Sequence, residues 1–287
     1  MLLAMKTRLG LSLFLLVPWV VSGQVPGRAL IGVCLDADKF EAAQTAGFDY
    51  VEINASKAAA LTDDEFQQLA GRIAQLRIPV AAANVFIPAA IKLVGPDVDP
   101  VRQMAHVTAT LGRLKRLGVS VVVLGSGGAR RVPDGFSRDE AFNQLVDFCR
   151  RIAPVARDNG ITIAFEPLRS QETNIVNSVR EGLALVEAVD RPEIKLVVDF
   201  YHLAEAHEDP GVVLDAGTLI AHTHIANPRG RVYPLSAGEA EYGPFFENLC
   251  KAGYAGRMSI EASTTDFAAQ APQSLAMLRH ALACGAR

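Results

Sequence analysis

Ile161-Thr162-Ile163-Ala164-Phe165-Glu166-Pro167 is the stretch on which the fold turns. A run rich in β-branched and aromatic residues passes straight into a carboxylate, and the proline that follows stops the ladder. Strands covered by helices on both faces read as continuous apolar runs of this kind. Moving outward, seven more compact, mostly apolar runs recur, at 29–33, 50–53, 79–83, 120–124, 194–198, 219–225 and 257–260. With 161–165 they make eight.

Between the runs lie amphipathic stretches with helical spacing. Residues 63–77 carry Phe66, Leu69, Ile73 and Leu76 on one face and open behind Thr62, whose hydroxyl suits an N-cap. Residues 101–117 and 137–159 repeat the pattern, the second stopping at Gly160; 181–189, 242–252 and 272–284 follow. The least regular helical pattern is at 210–216. Strands alternating with helices, without a break in composition, predict an α/β fold: a single (β/α)8 TIM barrel rather than an open doubly wound sheet. A chain of 287 residues, 50% of them hydrophobic, can bury such a core as one domain.

The first 23 residues have another character. Lys6 and Arg8 form a basic start, residues 9–21 are an apolar run short for a bilayer span, and Val21-Ser22-Gly23 offers small residues for cleavage. This is the order of a signal peptide over 1–23, leaving 24–287 as the barrel; a membrane anchor or a mis-called start codon is the alternative. It predicts export, to a periplasm, with no membrane contact after the leader is cleaved. A net charge of −3 gives no footprint for nucleic acid or anionic lipid, so a small molecule is the expected partner; a homo-oligomer is compatible with this. Cys34, Cys149, Cys250 and Cys284 are widely spaced, without a C-x-x-C pair, in a chain too long to need disulfide staples. They are expected to be buried small apolar residues, with a Cys34–Cys284 bridge as the one pairing to consider.

In such a barrel, function gathers where strands end and βα loops begin. The fifth run ends in Glu166, the sixth in Asp199-Phe200-Tyr201-His202, the seventh in His222-Thr223-His224, and the eighth in Glu261. Each has a structural alternative: Glu166 as a barrel-end ion-pair acid, Asp199 as the cap of the next helix. His222 and His224 are two apart and share a strand face, so one can ligate while the other packs; His224 is nearer the strand's C-terminal end. Four such groups at one level, among valines and isoleucines, are costly unless paired or metal-bound, and one cation accounts for all of them. Glu52 and Asn54 end the second run without an assignable partner, and His106 and His207 fall in helical or loop stretches; all four read as structural.

The set Glu166-Pro167-Leu168, Glu172-Thr173-Asn174, Asp199-x-x-His202, His222-x-His224 and Gly253-Tyr254-x-Gly256 before Glu261 resembles the xylose isomerase-like TIM-barrel family of sugar isomerases and epimerases. The pattern is most similar to the D-tagatose/D-psicose 3-epimerase and hydroxypyruvate isomerase branches, and extends over about residues 28–284. The resemblance implies that Glu166, Asp199, His224 and Glu261 hold one divalent metal ion. It implies that Glu166 and Glu261 are also the catalytic acid/base pair, and that Glu172, His202 and Arg231 bind substrate. Two features depart from the pattern: the leader, and the loop Gly125-Ser126-Gly127-Gly128-Ala129-Arg130-Arg131. That loop reads as an anion cradle, as a place of close backbone approach, or as a surface turn with two solvated arginines.

Three carboxylates and one imidazole make a hard, oxygen-rich donor set that suits Mn2+, with Mg2+, Co2+ or Zn2+ tolerated. Proton abstraction beside a carbonyl would then give a metal-stabilised enediolate, and return of the proton by the second glutamate would invert the carbon. The expected function is a metal-dependent sugar isomerase/epimerase. On a 3-keto-glycoside the same abstraction would expel a β-substituent, so a lyase or hydratase is the alternative. A non-catalytic carbohydrate-binding barrel is the alternative of another class, opposed by the intact glutamate pair. The endonuclease branch of the family needs more metal ligands and a basic groove, and neither is visible.

Overall fold

The computed structural model describes residues 28–284, so the leader expected over 1–23 lies outside the described residues. Eight strands, β1 (Leu30–Cys34), β2 (Tyr50–Asn54), β3 (Val80–Asn84), β4 (Val121–Leu124), β5 (Thr162–Phe165), β6 (Ile194–Asp199), β7 (Ile220–Ile225) and β8 (Arg257–Ile260), pair in chain order. Every pairing is parallel, and β1 joins β2 on one side and β8 on the other, closing the barrel. Each strand overlaps the run that predicted it.

The helices are α1 (Phe40–Ala46), α2 (Ala55–Ala60), α3 (Asp63–Gln75), α4 (Pro100–Arg116), α5 (Arg138–Asn159), α6 (Val179–Val189), α7 (Phe200–Glu205), α8 (Val212–Ala216), α9 (Tyr242–Lys251) and α10 (Phe267–Ala281). Thr62 accepts from the Glu65 amide while the Glu65 carboxylate accepts from the Thr62 amide, so two otherwise orphaned donors at the start of α3 are satisfied. Gly160 ends α5 in a left-handed conformation. The sequence patterns predict no helix at α1, α2 or α7, which are only six or seven residues long; helical periodicity cannot show over so short a span. Among the described residues no helix is long and apolar enough to cross a membrane.

One apolar core lies between the strands and the helical layer, with Phe40, Phe66, Phe148 and Phe245 among its buried rings. A second, made of Tyr50, Ala82, Val121, Val123, Ala164, Val197 and their neighbours, fills the lower barrel. Gly32 belongs to this second core by necessity, because a Cβ there would run into the ring of Tyr50. Strand side chains repeat every second residue, so the next inward positions above Tyr50, Ala164 and Val197 are Glu52, Glu166 and Asp199. The apolar interior therefore gives way to ionisable groups toward the mouth.

Cys250, at the end of α9, forms a disulfide with Cys284, just past α10 and 34 residues on. Cys34 and Cys149 are free. This corrects the Cys34–Cys284 pairing, and for Cys250 and Cys284 the expectation of unbridged residues; Cys149 is buried and free as expected, and Cys34 is free but only half-buried. Cys34 ends a strand at the barrel mouth, whereas Cys284 follows an outer helix that runs toward the opposite face, so the two cannot meet. The ends of the last two helices can.

Candidate active site

Glu166 leaves β5 pointing into the mouth, where the β4 loop must give it room. A side chain at Gly125 would collide with Glu166 Oε2, and one at Gly127 would meet the Glu172 carbonyl, so these glycines serve close approach. Arg130 is fully buried: its Nη2 donates to the Glu166 carbonyl at 2.7 Å, and its guanidinium lies 4.6 Å from the centre of the Phe165 ring. Burial draws its pKa down to about 10. The reading of two solvated arginines is thus corrected for Arg130; only Arg131 is exposed, donating to the Gln171 carbonyl at 3.1 Å.

The two oxygens of Asp199 are placed differently. Oδ1 accepts from the Tyr201 amide at 2.8 Å and caps α7, while Oδ2 is buried with no hydrogen-bond partner. On β7, His224 is fully buried with Nδ1 2.9 Å from Glu166 Oε1 and 3.5 Å from Glu261 Oε2. Glu261 Oε1 accepts from Asn84 Nδ2 at 2.8 Å, and Oε2 from Arg231 Nη2 at 2.5 Å. Donor atoms of Glu166, Asp199, His224 and Glu261 all lie within 4.8 Å of one another. Ligands about 2.0–2.6 Å from a shared ion stand roughly 3–5 Å apart, so the four could hold a divalent cation. The orphaned Asp199 oxygen is the kind of group such an ion would satisfy.

The electrostatics fit the same picture. Burial raises the pKa of Glu166, with His224 offsetting only part of the effect, and burial together with the Glu166 charge pushes Asp199 to about 7. Burial acts on Glu261 too, but His224 and Arg231 outweigh it and hold that group at about 2. Burial alone would lower His224; Glu52, Glu261 and Glu166 instead raise it well above the usual imidazole value. His224 and Arg231 compensate Glu261 but leave Glu166 and Asp199 raised, and a further cation would favour the charged form of both.

Above the cluster opens a cavity of about 350 Å3. Glu172 and Arg231 line it, joined by an Arg231 Nη1–Glu172 Oε1 pair at 3.2 Å, and Arg231 lies 4.6 Å over the Tyr201 ring. Val85, Ile87, Pro88 and Ala89 form an apolar wall. Three lining residues, Val85, Ser126 and Arg231, hold φ angles of 51°, 44° and 49°, which for a β-branched residue such as Val85 is a strained conformation. His202 sits apart, in a small recess with Asp199, Leu203 and Pro167. Its Nδ1 accepts from the Arg169 amide at 3.2 Å, and burial together with Arg231 pushes its pKa to about 3, so the ring is neutral.

Glu52 is the residue that sequence reasoning missed. It is fully buried, with Oε1 3.1 Å from His224 Nε2 and Oε2 2.8 Å from His222 Nε2. Ser259 Oγ donates to Oε2 at 2.5 Å and is itself 2.8 Å from the Tyr50 hydroxyl. The absence of an assignable partner is therefore corrected. A usable signal existed: Glu52 interrupts the run Tyr50-Val51-Glu52-Ile53 instead of following it, so its carboxylate had to point into the barrel or into the helical layer. Asn54 caps α2 through the Lys57 amide at 2.9 Å, and His106 Nε2 lies 2.9 Å from the Phe86 carbonyl, both structural uses.

The family model described as xylose isomerase-like TIM barrel matches residues 40–281. An L-ribulose 3-epimerase from Methylomonas sp. (strain DH-1) is 31% identical over 229 residues, 78% of this chain and 77% of the relative. A D-psicose 3-epimerase from Ruminiclostridium cellulolyticum is 27% identical over 235 residues, 75% and 74% of the two chains. Among solved structures, D-allulose 3-epimerase from Methylomonas sp. has a TM-score of 0.77 at 25% identity, over 90% of this chain and 99% of that one. A 3-keto-D-glucoside 4-epimerase from E. coli has a TM-score of 0.73 at 21% identity, covering 88% and 100%, a likeness of fold alone. With the family model spanning most of the barrel and an epimerase relative aligned over more than three quarters of it, the chain belongs to the xylose isomerase-like TIM-barrel family.

Proposed function

We propose that this protein is a metal-dependent ketose epimerase, an enzyme of the sugar isomerase/epimerase class that moves a proton at the carbon beside the ketose carbonyl. The observation that carries this is the convergence of Glu166, Asp199, His224 and Glu261 beneath a cavity of sugar size. The relatives named as L-ribulose and D-psicose 3-epimerases support the same class of substrate.

The four converging residues would hold one divalent ion, Mn2+ being well suited to three oxygen donors and an imidazole; when bound, it supplies Lewis-acid stabilisation of negative charge on the substrate oxygens. Glu166 and Glu261 stand just past β5 and β8, three strands apart around the barrel, so their carboxylates reach a sugar from different directions. One accepts the proton and the other supplies its replacement, which inverts the carbon. Arg231, fixed by Glu172 and Glu261, presents its guanidinium to the sugar oxygens, and Glu172 accepts from a hydroxyl. His202, buried behind the rim, steadies Asp199 rather than meeting the sugar directly. The apolar wall opposite takes the C–H face of the ketose and excludes water from the reacting carbon. An oxidising compartment, reached through the apolar leader, belongs to the same proposal and is supported by the Cys250–Cys284 disulfide.

The test is solvent exchange. The Mn2+-loaded protein is incubated in D2O with a panel of ketoses, L-ribulose and D-psicose included, and followed by NMR. Deuterium should enter at C3 as the 3-epimer appears, and should stop entering after chelation. No exchange into any ketose would sink the proposal.

A further inference from the structure

We propose that Glu52 is a positioning residue that fixes the His224 ring, holding its Nε2–H so that the Nδ1 lone pair is the one offered to the carboxylate cluster. The inference rests on the metal site proposed above and concerns what lies beneath it. A neutral imidazole has two tautomers and can turn over about its Cβ–Cγ bond, so a ligating histidine needs something to select both its proton and its face. A carboxylate bonded to the far nitrogen does this.

The geometry around His224 meets that requirement. Its Nδ1 faces Glu166 Oε1 at 2.9 Å and Glu261 Oε2 at 3.5 Å, while its Nε2 faces Glu52 Oε1 at 3.1 Å. Glu52 cannot swing away. Its other oxygen is held by His222 Nε2 at 2.8 Å and by Ser259 Oγ at 2.5 Å, and the Tyr50 hydroxyl secures Ser259. Glu52, His222, His224 and Ser259 are all fully buried, so no solvent replaces a lost bond. A carboxylate at the barrel axis is costly unless it is paired, and the two imidazoles it orients are what compensate it. Cys34, Glu52 and His224 also bring donor atoms within 4.8 Å of one another. Both Glu52 oxygens, however, are occupied by His222, His224 and Ser259, and the Cys34 thiol accepts from Asn84 Nδ2, at 3.6 Å. That trio is the supporting layer of the first cluster and not a second metal site.

The test is direct binding, not turnover. Calorimetric titration of Mn2+ into the metal-free parent and into Glu52→Gln should show a dissociation constant about 10–100-fold weaker in the variant. Nitrogen-15 NMR of the Zn2+-loaded parent should show the His224 proton on Nε2, sheltered from exchange, and Nδ1 shifted by ligation. Folded Glu52→Gln binding Mn2+ within about twofold of the parent overturns the inference, as does a parent spectrum with the proton on Nδ1. Should Glu52→Gln fail to fold, the parent spectrum decides alone. A parent that binds no divalent ion removes the metal site and this inference with it, whereas equal binding by parent and variant removes only the role of Glu52.

Discussion

Replacing Asp199 with asparagine should make the metal-free protein more stable than its parent near pH 8, but not near pH 4. Asp199 Oδ2 is buried without a hydrogen-bond partner, so burial, and then the Glu166 charge, disfavours the ionised form and lifts the pKa from 3.8 to about 7. A group whose folded pKa is raised contributes stability in full below its unfolded pKa, and that stability is lost as pH climbs through the folded value. At about 1.4 kcal/mol per tenfold change in proton affinity, the interval from 3.8 to about 7 is worth on the order of 4 kcal/mol. The parent gives this up between about pH 4 and pH 7; the variant does not. Asparagine retains the oxygen that accepts from the Tyr201 amide, so the helix cap survives. His202, pushed down to about 3, titrates with the opposite sign in this window but does so in both proteins, and so drops out of the difference. The assay is urea unfolding at several pH values in chelating buffer, with the parent-minus-variant stability plotted against pH. Adding Mn2+ at about pH 8 should reverse the order, because only the parent keeps all four donors. A difference that is flat with pH, or a metal-free variant weaker than the parent near pH 8, would refute the reasoning.

Glu166→Gln should lower turnover at least about 100-fold while leaving the far-ultraviolet spectrum unchanged; retention within about tenfold would remove Glu166 from the acid/base pair. Gly125→Ala places a methyl group where Glu166 Oε2 lies, and should cost roughly 100-fold in activity with the barrel intact. An unaltered rate would mean that the β4 loop yields freely. Cys284→Ser opens a 34-residue loop, for which chain entropy gives about 4 kcal/mol of lost stability. Coincident urea midpoints for this variant and its parent under oxidising conditions would show that the link contributes nothing.

The barrel was legible because its strands are short apolar runs whose order survives any uncertainty about their ends. Closure was not local information: it depends on β1 pairing with β8, more than 220 residues on, at Leu30–Arg257. Glu166, Asp199 and Glu261 announced themselves by directly following their apolar runs, where an acid has few comfortable places to go. Glu52 was hidden for the converse reason. It lies inside a strand, its histidine partner His222 is 170 residues away, and nothing near it in the chain indicates which layer it enters. The disulfide was equally invisible, since Cys250 and Cys284 carry no spacing signature and meet only because α9 and α10 finish side by side. Asp199 exposes a different limit. Helix capping and site donation stood as rivals in the sequence, yet one oxygen caps α7 and leaves the other free to face the cluster, so the two are compatible.

Because α9 and α10 carry the chain back from the mouth after β7 and β8, Cys250 and Cys284 are joined on the floor of the barrel, facing away from the mouth. Anything fused beyond Cys284 is thereby tethered to a fixed point on the rear of the molecule. Capture on a solid support through a carboxyl-terminal tag should leave the opening turned toward the bulk liquid, so that immobilised protein and free protein meet dissolved sugar on equal terms.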